Sequence, residues 1–405
     1  MKDNISGIKD RLTEVLKEEE DVTTKTFDFI LRQAVHHRAS DIHLEPIAGE
    51  LRIRLRIDGI LHDVAGMSLS WQQRLVSHIK VLSNLIVYKK DLPQDGSLDK
   101  SLTGLDIDTR VTTFPTIHGE KVVIRLLDSD RHLLEIEELG FSEDVEKRLK
   151  ELLIRPNGTL LLTGPSGSGK TTTIYTILRR LSSKKGGALN IVTIEDPVEY
   201  DLKNISQTQI NPSAGMNFAS ALRSILRQDP EVIMIGEIRD HETARIAIQA
   251  GLTGHLVIST IHSPSAVGVF TRLIQIEIEP FLIASSITGI LAQRLVRLIC
   301  QDCREAYQPD EVMLERLNIS STEEIHFYRG KGCDNCGGLG YRGRTAIAEL
   351  LTVNNTIRDL IMKKTNTPDL EKASVRLGSR TLREDGLEKM KKGLITIEEL
   401  CRVLT

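Results

Sequence analysis

From Leu139 onward the apolar residues fall into unbroken runs, Leu160–Thr163, Asn190–Ile194, Val232–Ile235 and Leu256–Thr260, separated by helical stretches. Runs without alternation predict the strands of a parallel sheet covered on both faces. Upstream the pattern is different. Phe27, Ile30, Leu31, Ala34 and Val35 recur at helical spacing, whereas Leu51-Arg52-Ile53-Arg54-Leu55-Arg56-Ile57 alternates as a half-buried strand does. Asp58-Gly59 supplies a turn before a second strand from Ile60. A helix around Trp71–Leu85 and strands near Asp106–Phe114 and Lys121–Leu127 complete an α+β unit. The opening residues, with Glu18-Glu19-Glu20-Asp21, read as a solvated helix or a loose arm.

These changes of pattern predict a charged arm over 1–26, an α+β domain over 27–128, a linker over 129–137 and an α/β core over 138–299. A cysteine-bearing subdomain over 300–340 and a helical region over 341–405 follow. The length of 405 residues suits two to three domains. An apolar content of 40% with 27% charged residues is that of a globular chain with real cores. The net charge of −3 argues against a protein that coats nucleic acid. No apolar stretch reaches the ~20 residues needed to span a bilayer. The start, Met1-Lys2-Asp3-Asn4, lacks an apolar signal core, so a cytoplasmic location is expected.

Candidate chemistry begins where the first apolar run ends. Residues 164–171 read Gly164-Pro165-Ser166-Gly167-Ser168-Gly169-Lys170-Thr171, the G-x-x-x-x-G-K-[ST] phosphate loop between a strand and a helix. Its glycines let backbone N–H groups turn toward a phosphate, and the helix N-terminus adds a positive dipole. Lys170 is expected on the β- and γ-phosphates of ATP, Thr171 on Mg²⁺, and Thr172 among the nucleotide contacts.

Glu195 ends the second run, in Glu195-Asp196-Pro197-Val198-Glu199, and Glu237 follows the third after Gly236. Each is a candidate to orient the attacking water or hold Mg²⁺, or else a charge at a helix N-terminus. Many phosphate-loop enzymes place Asp at the position of Gly236. Histidines bracket the fourth run, in Thr253-Gly254-His255 through Ile261-His262, either as satisfied core residues or as phosphate-sensing ones. Cys300-x-x-Cys303 and Cys333-x-x-Cys336 have the paired spacing of a closed, structural zinc site, with four unrelated reduced thiols as the plainer reading.

Taken together these segments resemble the type II secretion and type IV pilus ATPase family. The carriers are the phosphate loop, an aspartate box at Glu195–Glu199 and an atypical Walker B from Arg227-Gln228-Asp229-Pro230 through Asp240. A histidine box at Thr253–His262 completes the core set. The likeness extends upstream through Ala39–Pro46, Arg56–Gly59, Leu92–Gly96 and His118–Lys121. Downstream it covers Ala292–Arg297 and Arg380–Gly386.

The resemblance implies a RecA-like ATPase domain after a PAS-like domain, and a cytoplasmic homohexamer peripheral to the inner membrane. It implies an inner-membrane platform protein as partner and no direct nucleic acid. It assigns catalytic roles to Lys170, Glu195, Glu237 and His255, and to Arg110 and Arg125 from the N-terminal domain, positions that otherwise read as exposed strand charges. The resemblance matches His255 to the residue that senses the γ-phosphate, and the continuation His262-Ser263-Pro264 departs from the family's commoner pattern, which weakens the match at His262. Members with the tetracysteine element assemble or secrete rather than retract, which implies an extension or secretion motor. A competence pseudopilus motor, a DNA-translocating zinc ATPase and a small-molecule kinase are the alternatives.

Overall fold

The computed structural model describes residues 4–18, 21–98, 104, 107–127, 134–184, 188–319 and 325–404. Glu19 and Glu20 of the expected arm, Asp106, the expected boundary at Asp128 and residues 129–133 of the expected linker lie outside them. By contact the chain divides into two units. One comprises 1–131, 297–307 and 328–344, and the other 132–296, 308–327 and 345–405.

The first unit is built on an antiparallel sheet. Its strands are β1 (Ala39–Ile47), β2 (Glu50–Ile57), β3 (Ile60–Ser68), β4 (Gln94–Gly96), β5 (Asp108–Thr116) and β6 (Gly119–Leu127), in the order β3-β2-β1-β6-β5-β4. Alternation decides which face is buried. In β2 the residues Leu51, Ile53, Leu55 and Ile57 are buried and the arginines between them are not. Helices Val22–His36 and Gln72–Leu82 contribute Phe27, Ile30, Leu31, Leu75, Val76 and Ile79 to the same core.

The opening segment is not a solvated arm. Helix Ile8–Val15 buries Ile8 and Leu12, and Ile5 joins them in that core. Their i, i+4 spacing puts them on one helix face, a signal that the surrounding charges mask. The backbone N–H of Ile5 donates to the carbonyl of Gly337 at 3.4 Å, and Leu339 packs against the same core.

The second unit holds the parallel sheet. Its strands are β7 (Gly158–Thr163), β8 (Ile191–Glu195), β9 (Ser206–Gln209), β10 (Val232–Ile235), β11 (Leu256–Thr260) and β12 (Ile287–Ile299). The short strands β13 (Arg304–Tyr307) and β14 (Phe327–Gly330) pair with each other and fall in the first unit save for Phe327, whereas β15 (Tyr341–Thr352) joins the larger sheet. The order is β15-β12-β7-β11-β10-β8-β9, and every pairing from β12 through β9 is parallel. β7, β8, β10 and β11 are buried at every position, as unbroken apolar runs require. The region expected to be helical from residue 341 opens instead with β15, and helices follow from Asn355. Glu399, Asp385 and Lys389 are buried among those helices, where Lys389 Nζ donates to Asp385 Oδ1 and Oδ2, each at 2.7 Å.

Candidate functional site

The phosphate loop lies at the carboxyl end of β7, where ligands bind on open parallel sheets. Helix Lys170–Lys184 starts directly after Gly169. Gly164 has φ +145°, and a Cβ there would sit 2.5 Å from the Gln293 carbonyl oxygen and 2.6 Å from Ser168 Oγ, so only glycine fits. Pro165, Ser166 and Gly167 are exposed, as is Thr171, and Ser168 is buried. Lys170 Nζ donates to the carbonyls of Gly164 at 2.8 Å and Pro165 at 2.9 Å. Burial and the neighbouring Arg294 hold the Lys170 ammonium below the usual lysine range, and Glu237 opposes them.

The two candidate carboxylates have unlike surroundings. Glu195 is buried and its oxygens are committed. Oε1 accepts from Thr193 Oγ1 at 2.5 Å and from Gln207 Nε2 at 3.0 Å, while Oε2 accepts from the Tyr175 hydroxyl. Burial first, then that bond, pushes the Tyr175 hydroxyl's pKa up. Glu237 is set by a different route. The Gly236 N–H donates to the Ile194 carbonyl at 2.8 Å, and a Cβ on Gly236 would lie 3.3 Å from that oxygen. The Ile238 N–H donates to the Thr260 carbonyl at 2.8 Å, which fastens the end of β10 to that of β11. Glu237 is thereby presented beyond the sheet, paired with Arg239 and 3.9 Å from His262 Nε2.

The two histidines lie at opposite ends of β11. His255 precedes β11, and its carbonyl accepts from the Gly158 N–H at 3.1 Å at the amino end of β7. Its ring Nδ1 lies 3.0 Å from the Ala250 carbonyl. Parallel strands run from that edge toward the loop, so His255 stands across the sheet from Lys170. His262, past the carboxyl end of β11, is the histidine brought to Glu237.

Arg110 and Arg125 belong to the first unit, directly opposite one another on β5 and β6. Val111 and Ile124 beside them are buried, so both arginines occupy the exposed face. Arg125 Nε donates to Asp41 Oδ1 at 3.1 Å, and Arg110 lies 3.8 Å from Asp95. Like charges directly across a ladder repel, a cost that an anion on this face would offset.

The cysteine quartet also lies in the first unit, and its four Sγ atoms are within 4.8 Å of one another. Cys300–Cys333 and Cys333–Cys336 are 3.8 Å apart and Cys303–Cys336 3.9 Å. A tetrahedron with Zn–S arms of ~2.3 Å has S···S edges of roughly 3.8 Å, so the group fits. Backbone N–H groups of Gly332, Cys333 and Gly340 point at these sulfurs from 3.2–3.3 Å, which suits thiolates.

Two residues with no role expected from sequence border the phosphate loop. Gln293, buried in β12, donates from Nε2 to the Ser168 carbonyl at 2.8 Å and accepts from Thr173 Oγ1 at 3.0 Å. Arg294 donates to the Gln293 carbonyl at 3.0 Å and to the Pro264 carbonyl at 2.7 Å. The sequence signal for this contact is the segment Ala292–Arg297, which does not say what Gln293 touches.

The chain matches the type II/IV secretion system protein family over residues 16–402. It is 45% identical to the type II secretion system ATPase E of Vibrio cholerae over 96% of this chain and 77% of that protein. It is 44% identical to the type IV pilus assembly ATPase PilB of Thermus thermophilus over 95% of this chain, which spans 43% of that longer protein. Among solved structures, the pilus retraction motor PilT with bound ADP aligns at a TM-score of 0.63 and 27% identity, covering 93% of this chain and 96% of that one. The Legionella pneumophila ATPase DotB aligns at 0.67 and 20% identity, covering 96% and 97%, which shows a shared fold.

Proposed function

The chain belongs to the type II/IV secretion system protein family, and from that premise we propose that it is a motor that hydrolyses ATP to ADP and phosphate to drive type II secretion or type IV pilus assembly. In this reading it works as a hexamer at the cytoplasmic face of the inner membrane, against a platform protein. The second unit is its RecA-like engine and the first its PAS-like companion. The observation that carries the reading is the phosphate loop at the carboxyl end of β7, with Lys170 folded over it and Glu237 and His262 presented from the neighbouring strands.

The geometry supports the following roles. Loop N–H groups from Gly164 to Lys170 receive phosphate oxygens, and Lys170 reaches the β- and γ-phosphates. Thr171 would hold Mg²⁺, which neutralises charge across those phosphates. Glu237 orients the attacking water, because its carboxylate faces out of the sheet beside His262. Glu195, whose oxygens already accept from three side chains, keeps the second strand end rigid. Arg110 and Arg125 add positive charge to the triphosphate during turnover. Cys300, Cys303, Cys333 and Cys336 would hold a structural Zn²⁺.

Steady-state ATPase assays of the full chain test the assignment. Lys170→Ala is expected to abolish turnover with the fold intact. Glu237→Gln is expected to bind ATP normally and hydrolyse it at least ~100-fold more slowly. Wild-type turnover in Lys170→Ala would sink the site, and wild-type turnover in Glu237→Gln would return the water to Glu195.

A further inference from the structure

We propose that the end of β12 is a splint for the catalytic loops, with Gln293 as the positioning residue of the phosphate loop and Arg294 as that of the His262 loop. The inference rests on the phosphate-loop reading above and adds two residues to it.

Gln293 occupies a buried position where its amide has both orientations decided. Its oxygen accepts from Thr173 Oγ1 in the first turn of the helix, so its nitrogen is left to donate to the Ser168 carbonyl. Ser168 is the residue at which the loop turns toward the helix, and its carbonyl is pinned 2.8 Å from Gln293 Nε2. A peptide held by its carbonyl has its plane fixed, and with it the direction of the next N–H, that of Gly169. Gly169 has φ +88° and a Cβ there would lie 3.1 Å from Gln293 Nε2, so loop and amide are in contact. Backbone N–H groups already aimed at the phosphate bind it without the cost of reorganisation.

Arg294 does the same for the neighbouring loop. Its guanidinium bridges the Gln293 carbonyl and the Pro264 carbonyl, two residues beyond His262. A second tie runs in parallel, because the Ser263 N–H donates to Thr163 Oγ1 at 2.9 Å and that hydroxyl donates to the Ser263 carbonyl at 2.8 Å. The loop that carries His262 is therefore held from β7 and β12 at once. Arg294 also lies close enough to Lys170 to depress its pKa.

The two halves of the splint have separable signatures. Gln293 orders groups that meet the phosphates shared by ATP and ADP, so its loss weakens ground-state binding. Arg294 orders the side facing the γ-phosphate, so its loss falls on the chemical step. For Gln293→Ala we expect the Kd for MgADP and the KM for MgATP to rise about tenfold, the equivalent of one well-placed hydrogen bond, with kcat within about threefold. Thr173→Val, which frees the amide without emptying the site, is expected to move both constants the same way by about threefold. Adding it to Gln293→Ala should then change little further. For Arg294→Met we expect kcat to fall about tenfold or more with the Kd for MgADP unchanged, and Arg294→Lys to restore part of it.

Isothermal titration with MgADP and steady-state kinetics of the full chain read these quantities, with thermal melts alongside. A fall in melting temperature with Kd, KM and kcat unchanged in Gln293→Ala and Thr173→Val would reduce Gln293 to a core brace and overturn its half. Equal losses in Kd and kcat for Arg294→Met would overturn the other. If Gln293→Ala does not fold, Thr173→Val decides by itself. Loss of turnover in Lys170→Ala with no effect from any splint variant would leave the site standing and remove only this proposal.

Discussion

The two sheets carry their chemistry in opposite places. The antiparallel sheet of the first unit bears its charges along the strands, in a cross-strand row of Arg56, Asp41, Arg125 and Arg110 over four neighbouring strands. The parallel sheet of the second unit is buried along β7, β8, β10 and β11, and Lys170, Glu237 and His262 lie past the strand ends. The contrast comes from solvation. A sheet with one wet face can hold arginines anywhere on it, whereas a sheet covered on both sides leaves unpaired charges no place but its strand ends. The first arrangement presents a broad cationic face. The second concentrates a lysine, a carboxylate and a histidine at one rim.

That contrast can be broken experimentally. The largest expected effect is chemical: Arg110→Ala and Arg125→Ala should each lower kcat by ~10³-fold or more if these arginines act on transition-state charge, while MgADP affinity stays near wild type. A change below about threefold in both would confine the chemistry to the second unit. Next is stability. Chelation, or Cys300→Ser, is expected to lower the melting transition of the first unit by several degrees and leave that of the second in place, since the quartet belongs to the first. Metal analysis should find about one zinc per chain, and a single undisturbed transition after zinc removal would deny the quartet a structural role.

The smallest effect concerns the second unit's own titration. Burial, and then Glu371, push the Glu349 carboxyl up to about 7 from 4.5, against the pull of the Leu382 N–H and Arg294. The folded pKa is the higher one, so the stabilisation from a neutral Glu349 is complete below about pH 4.5 and is lost as pH rises through about 7. Glu349→Gln should therefore match wild type near pH 5 and melt a few degrees higher than wild type at pH 8. Parallel curves for the two proteins across that range would refute the buried-acid reading.

Legibility followed the same division. The phosphate loop and the strands around it were plain in the sequence, because Gly164–Thr171 and the apolar runs are local signals. Which end of β11 faces the loop is not legible in the motif, which names His255 and His262 together. Strand direction alone separates them, and the rule that ligands bind at carboxyl ends already favoured His262. Glu195 looked equivalent to Glu237 because its donors, Tyr175 and Gln207, come from other elements and meet it only in three dimensions. Gln293 was visible as part of a motif, but its partners Ser168 and Thr173 lie more than a hundred positions earlier. The burial of the opening helix is masked for a simpler reason: Ile5, Ile8 and Leu12 are few among many charges.

That helix sets a practical boundary for anyone shortening the gene. A version begun at Phe27, where the sequence suggests that the domain starts, would strip Ile5, Ile8 and Leu12 from the core they share with Leu339. It would also remove the Ile5 bond to Gly337, next to the Cys333–Cys336 knuckle. Losses of solubility or zinc content in such a product would report on the missing cover, not on the metal site itself.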